Sequence, residues 1–113
     1  MNQRKKGMAA EKVAAEFLKL QGYVILEQNY GIRTGEIDII AMDSEVLVFV
    51  EVKYRKDSCY GYPGESVDQK KQAKIRKTAM VYMKQHSISF DKAIRFDVVE
   101  ILGKKIRVIK HAF

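Results

Sequence analysis

The sequence predicts an α/β domain: a central mixed β-sheet flanked by helices, in the order α, β, β, β, α, β, β. Three observations predict it. Two segments carry apolar residues at helical spacing. Five short apolar runs, separated by glycine or polar pairs, read as strands. One helical segment precedes the strands and the other divides them three and two, a mixture that suits a sheet flanked by helices.

Gly7 to Gln21 reads as the first helix, with Ala10, Val13, Ala14, Phe17 and Leu18 as its apolar stripe and Gly22 as its stop. Tyr23 to Tyr30 is the first strand, rich in Tyr, Val, Ile and Leu, and Gly31 to Thr34 a loop. Glu36 to Met42 and Val46 to Arg55 are the next two strands. Asp57 to Gly64, DSCYGYPG, is a loop by composition. The second helix starts at Ser66 or Asp68, with Ser66 and Gln69 at capping-box spacing, and runs to about Gln85. Its apolar side is Val67, Ile75, Thr78, Ala79 and Tyr82. Ala93 to Leu102 and Lys105 to Ile109 are the last strands, with Gly103 and Lys104 as a tight turn. No repeat or internal boundary divides the 113 residues, so residues 1–113 are expected to be one domain.

The chain is basic, with a net charge of +7. Residues 57–113 carry most of it, with 12 basic and 6 acidic residues against 9 and 8 in residues 1–56. Such a surface attracts polyanions, nucleic acid first, although charge also simply serves solubility. The single cysteine, Cys59, excludes an internal disulfide and a cysteine-based zinc site. The N-terminus lacks the apolar core of a signal peptide, and Val46 to Val50 is too short to span a bilayer. A cytoplasmic protein without a membrane partner is expected.

Asp38, Glu51 and Lys53 lie in otherwise apolar strands, where ionisable groups are costly. Strand alternation puts Glu51, Lys53 and Arg55 on one face with Leu47 and Phe49, and Glu36, Asp38 and Ile40 on one face of the preceding strand. A two-residue turn at Ser44 and Glu45, or a four-residue loop, gives the same register: Asp38 opposite Glu51, and Glu36 opposite Lys53. Directly opposed residues have Cβ atoms about 5 Å apart. Two carboxylates at that distance repel by about 3 kcal/mol at an effective dielectric of 20. A proton, a base or a divalent cation must offset this. Two carboxylates with a backbone carbonyl and waters suit Mg²⁺ or Mn²⁺. A neighbouring lysine then completes a set suited to metal-assisted phosphodiester hydrolysis. The alternative is a cross-strand ion-pair ladder, Glu36 with Lys53 and Asp38 with another base.

These residues also carry a resemblance. Gly35-Glu36-Ile37-Asp38 and Phe49-Val50-Glu51-Val52-Lys53-Tyr54-Arg55 resemble the YraN-like family of small bacterial proteins. That family is similar to archaeal Holliday-junction resolvases, within the PD-(D/E)XK nuclease superfamily. Gly22-Tyr23, Asn29-Tyr30, Gly61, Lys71, Arg95-Phe96-Asp97 and Ala112-Phe113 fit as well. The resemblance implies a restriction-endonuclease-like core and hydrolysis of DNA, branched or single-stranded, with RNA not excluded. It implies Asp38, Glu51 and the Val52 carbonyl as metal ligands and Lys53 as the catalytic lysine. Glu11 matches an extra acid on the first helix, and Glu36 is a second candidate to assist. The family usually has glycine where Ala10 precedes Glu11. A homodimer is expected by analogy, because cutting a junction symmetrically needs two sites.

Lys71 lies on the apolar side of the second helix, where it either snorkels to water or reaches a phosphate. Lys70 and Lys74, with Arg76 and Lys77, offer phosphate contacts or a plain solvated face. Arg55 and Lys56, with Tyr60 and Tyr62, flank the loop and are further nucleic-acid candidates. Arg95 and Asp97 read as a structural pair. A binding module that does not cut, and a scaffold held by the ladder, are the rival functions.

Overall fold

A computed structural model describes residues 2–55 and 67–113, with side chains among residues 2–20 described from Ala9 onward. The elements are α1 (Asn2–Leu20), β1 (Val24–Ile32), β2 (Gly35–Asp43), β3 (Val46–Arg55), α2 (Gln69–Gln85), β4 (Ile94–Leu102) and β5 (Lys105–Ile109). The order is the expected one. All five strands form one sheet, β1-β2-β3-β4-β5. β1, β2 and β3 are antiparallel, β3 and β4 are parallel, and β4 and β5 are antiparallel, so the sheet is mixed. The parallel pair needs a crossover, and α2 lies in it.

Several boundaries differ from the expectation. α1 begins at Asn2 rather than Gly7, because its first turn is polar and carries no apolar period. β1 extends to Ile32, since Gly31 and Ile32 pair with Glu36 and Gly35; the loop shrinks to Arg33 and Thr34. Asp68 caps α2, its carboxylate accepting from the Lys71 N–H at 2.8 Å. Ser66, Lys56, Cys59 and the 57–64 loop lie outside the described residues.

The stops follow local chemistry. Gly22 ends α1 at φ 97°. The Tyr23 N–H donates to Leu18 O at 2.9 Å and the Gly22 N–H to Lys19 O at 3.0 Å, a Schellman closure. The two-residue turn at Ser44 and Glu45 has Ser44 at φ 54° and pairs Asp43 with Val46.

β3 is central and covered on both faces, which explains its nearly continuous apolar run. On one face Leu47, Phe49, Ile40, Phe96 and Val98 pack under Ile75, Ala79 and Tyr82 of α2. On the other, Val48, Val50, Ile39, Ala41 and Val99 pack under Ala10, Ala14, Ala15 and Leu18 of α1. Phe49 is fully buried, worth roughly 1.5–3 kcal/mol relative to exposure. The predicted α1 stripe is rotated. Val13 is 52% exposed, beside an apolar hollow lined in part by Tyr54, Ile101 and Ile106, and Ala15 takes its place against the sheet. The rotation brings Glu11, one turn before Ala15, toward the sheet. No helix among the described residues is long and apolar enough to cross a membrane.

Candidate active site

The β2–β3 ladder has the predicted register. It runs from Asp43–Val46 to Ile39–Val50, and Asp38 and Glu51 are the next positions along. There the Val52 N–H donates to Asp38 Oδ2 at 2.8 Å, which fixes the carboxylate against the β3 backbone. Asp38 lies close enough to Glu51 for its carboxylate to raise the Glu51 carboxyl.

Asp38 is also where β2 changes hands. Ile40 packs on the α2 side and Ile39 and Ala41 on the α1 side, as alternation requires. Ile37, two residues before Ile39, nevertheless packs on the α2 side. A Cβ at Gly35 would likewise meet Thr78 of α2. The alternation therefore breaks at Asp38. Across the ladder, Asn29 adopts φ 55° between the pairs Gln28–Ile39 and Tyr30–Ile37. This reverses β1 in step, so Tyr30 still meets Ile37 on the α2 side.

The break lets two acids reach Asp38 from opposite layers. Glu51 belongs to the β3 face under α2, and Glu11 comes from α1. Burial, then the nearby Asp38 charge and a hydrogen-bonding contact with it, pushes the Glu11 carboxyl up to about 7. Glu11 Oε1 is buried with no hydrogen-bond partner. Burial, then contact with Asp38, pushes the Glu51 carboxyl up to about 8.

Two lysines face these acids. Lys71 Nζ lies 3.5 Å from Glu51 Oε2, so Lys71 reaches the site rather than only snorkelling past it. Burial, then contact with Lys71, pulls the Lys53 ammonium down to about 8. Burial opposes the charge of Lys71, but its partners Lys53, Glu51 and Asp38 together raise its pKa.

Glu36 lies at the edge of the site. It is exposed, its charge helps to raise the Glu11 carboxyl, and it lines a cleft with Lys71 and Lys74. Regular β2–β3 pairing stops before the predicted Glu36–Lys53 position, and the ion pair formed here joins Glu51 to Lys71. The ladder alternative is thus not the arrangement found among the described residues. Lys70 is exposed on the first turn of α2, and Arg55, at the end of β3, donates to the Tyr54 carbonyl at 3.0 Å. Neither is brought to the acids by these contacts. Arg95 and Asp97 do form a structural pair, at 2.8 Å, on the α1 side with Tyr23.

Glu100 was not anticipated. It is 3% exposed, neighbours Lys53 across the parallel β3–β4 pair, and is bonded to Arg107. The signal was available: an acid inside the apolar run Val98 to Leu102, as with Glu51.

Among the described residues, no three acidic, histidine or cysteine side chains form a ready metal cage. The chemistry of the donors nonetheless fits a hard divalent cation. The neighbouring carboxylates of Asp38 and Glu51 and the buried, unpartnered Glu11 Oε1 are the hard oxygen donors that such an ion takes.

A model of an uncharacterised protein family, UPF0102, matches residues 10–101. The range includes Glu11, Asp38, Glu51, Lys53 and Lys71. The chain is 45% identical over 113 residues to a UPF0102 protein of Lachnoclostridium phytofermentans, covering all of this chain and 96% of that one. It is 46% identical over 108 residues to one of Cytophaga hutchinsonii, covering 96% and 94%. It is 47% identical over 108 residues to one of Persephonella marina, covering 96% and 92%.

Proposed function

The chain belongs to the uncharacterised protein family UPF0102, and we propose that it is a divalent-metal-dependent endonuclease of the PD-(D/E)XK type that hydrolyses phosphodiester bonds in DNA. One observation carries the reading. Asp38, held by the Val52 N–H at 2.8 Å, lies close enough to Glu51 of β3 and Glu11 of α1 to raise both carboxyls, while Lys53 stands on the Glu51 face. A purely structural role would leave this many buried acids around one aspartate unexplained.

Asp38, Glu51 and the Val52 carbonyl would hold Mg²⁺ or Mn²⁺, with Glu11 as a further donor. When bound, the ion supplies Lewis-acid polarisation of a phosphoryl oxygen and neutralises charge. The chain's own residues do the positioning. The Val52 N–H fixes Asp38, and the Lys71 ion pair orients Glu51. The Lys53 ammonium donates to a non-bridging oxygen as charge develops there. Water adds at phosphorus, the P–O ester bond breaks, and the departing oxygen takes a proton. Symmetrical cutting of a branched DNA would require two copies.

A second reading is a module that binds nucleic acid without cutting. The absence of a ready three-donor cage among the described residues, with Lys71 seated on Glu51, favours it. One experiment separates the two. Purified protein is incubated with single-stranded, duplex, flapped and four-way DNA in Mn²⁺, beside Asp38→Ala, Lys53→Ala and an EDTA control. Cutting that disappears in all three supports the nuclease. Binding without cutting supports the module. Cleavage that survives both substitutions rules out this site.

A further inference from the structure

Next to the acids, a cleft of about 420 Å³ opens between the β1–β2 turn and the start of α2. Gly35 makes the close approach possible, since a Cβ there would stand 2.5 Å from Thr78 Oγ1. Ile32 and the buried Ile75 supply apolar lining. Arg33, Lys71 and Lys74 bring three positive charges against one acid, Glu36. Arg33 and Lys74 are exposed, and neither has a carboxylate partner among the described residues. Lys71 belongs to both places, lining the cleft and pairing with Glu51. Lys74 is one helical turn further along the same face.

The geometry points to a subsite for one unpaired nucleotide of a DNA strand, the neighbour of the phosphate that is cut. Arg33 and Lys74 take its phosphate, and the Ile32–Ile75 wall takes its sugar or base. The volume suits a single nucleotide, being at the low end of small-ligand pockets. A duplex presents paired, stacked bases and is too wide to enter. The inference rests on the nuclease reading of the acids and names its substrate class: a strand that is single or splayed at the cut.

Binding and cutting are measured separately. Fluorescent oligothymidylate and a blunt duplex are titrated in EDTA over a range of salt, using wild type, Arg33→Gln/Lys74→Gln and the control Lys84→Gln. Lys84 is exposed on the last turn of α2 and does not line the cleft. The double variant is expected to weaken oligothymidylate binding roughly tenfold or more at about 50 mM salt. Its salt slope should fall by about 0.7, the value for one phosphate on a single strand. Lys84→Gln should change little, and the blunt duplex should lose less than the oligothymidylate. Equal losses for all variants, equal losses on both DNAs, or no binding by wild type would overturn the subsite. Cutting by wild type in Mn²⁺ with no change in the double variant's binding overturns the subsite alone. A binding loss without any cutting by wild type overturns the nuclease alone.

Discussion

Asn29 sits across the β1–β2 ladder from Asp38, and its backbone is left-handed at φ 55°. The two residues break strand alternation together. Asparagine tolerates this conformation better than most residues, and a β-branched residue does not. Asn29→Val should therefore cost about 1–2 kcal/mol, whereas Asn29→Gly should stay near wild type. Urea denaturation measures this. DNA cutting should fall for Asn29→Val beyond the fraction unfolded, because Asp38 loses its place between Glu11 and Glu51. An Asn29→Val variant with wild-type stability and cutting would show that the kink does not position Asp38.

Gly35 and Thr78 set how close α2 lies to the sheet. A methyl at Gly35 meets Thr78 Oγ1 at 2.5 Å, so the helix must shift or Thr78 must turn away from its bond to Lys74 O. Gly35→Ala should cost about 1–3 kcal/mol as an overpacked contact. Thr78→Ala removes the obstructing oxygen, so the double variant should be more stable than the sum of the singles predicts. A double-mutant cycle by thermal melts tests the coupling. Strict additivity would mean that the contact relaxes at no cost.

These two relationships show where sequence reasoning stopped. The Asp38–Glu51 neighbourhood was legible because a short polar turn sets a hairpin register, and every later pair follows from it. Lys53 followed from alternation on the same strand. The break at Asp38 was not legible: an isolated strand gives no sign that its partner carries a left-handed residue. Without it, Glu36 looks like the partner of Lys53 and Glu11 has no route to Asp38. The contact of Lys71 with Glu51 depends on how a helix docks, which here hangs on a missing Cβ at Gly35. Val13 fitted the helical period but lost to Ala15, whose small side chain allows α1 to lie close to the sheet.

Asp97 gives a contrast with the site acids. It is fully buried and accepts from Arg95 Nε at 2.8 Å, the Tyr23 hydroxyl at 2.7 Å and the His111 N–H at 3.0 Å. Arg95 also reaches Asp43 at 2.7 Å, which holds the Asp43 carboxyl below its ordinary value. Every acceptor oxygen of Asp97 is therefore in use. Asp97→Asn should cost about 3–5 kcal/mol, as when one partner of a buried pair is removed. Mn²⁺ affinity, read by calorimetry on the folded fraction, should not change. A variant that keeps its stability but loses Mn²⁺ would move Asp97 into the site.

The crowding around Asp38 predicts an unusual pH dependence for the metal-free protein. Glu11 and Glu51 both hold their protons more tightly when folded, with burial the largest cause and Asp38 next, at about 7 and about 8 against an ordinary 4.5. A raised carboxyl pKa means that the folded state binds more protons than the unfolded state between the two values. Stability from these groups is thus complete below about 4.5 and is lost as pH rises through 7 and 8. Lys53 acts oppositely. Burial and Lys71 lower it to about 8, so its contribution improves as pH rises from about 8 toward 10.5. In EDTA, the urea midpoint should fall between pH 5 and pH 8, and the Lys53 contribution should oppose any further fall above pH 8. Glu51→Gln should flatten the fall, because an amide has no proton to lose. Mn²⁺ should also flatten it, by supplying the positive charge that the lost protons leave wanting. A midpoint that rises across this range in EDTA, or a slope unchanged in Glu51→Gln, would show that the folded chain does not hold the Glu11 and Glu51 protons more tightly.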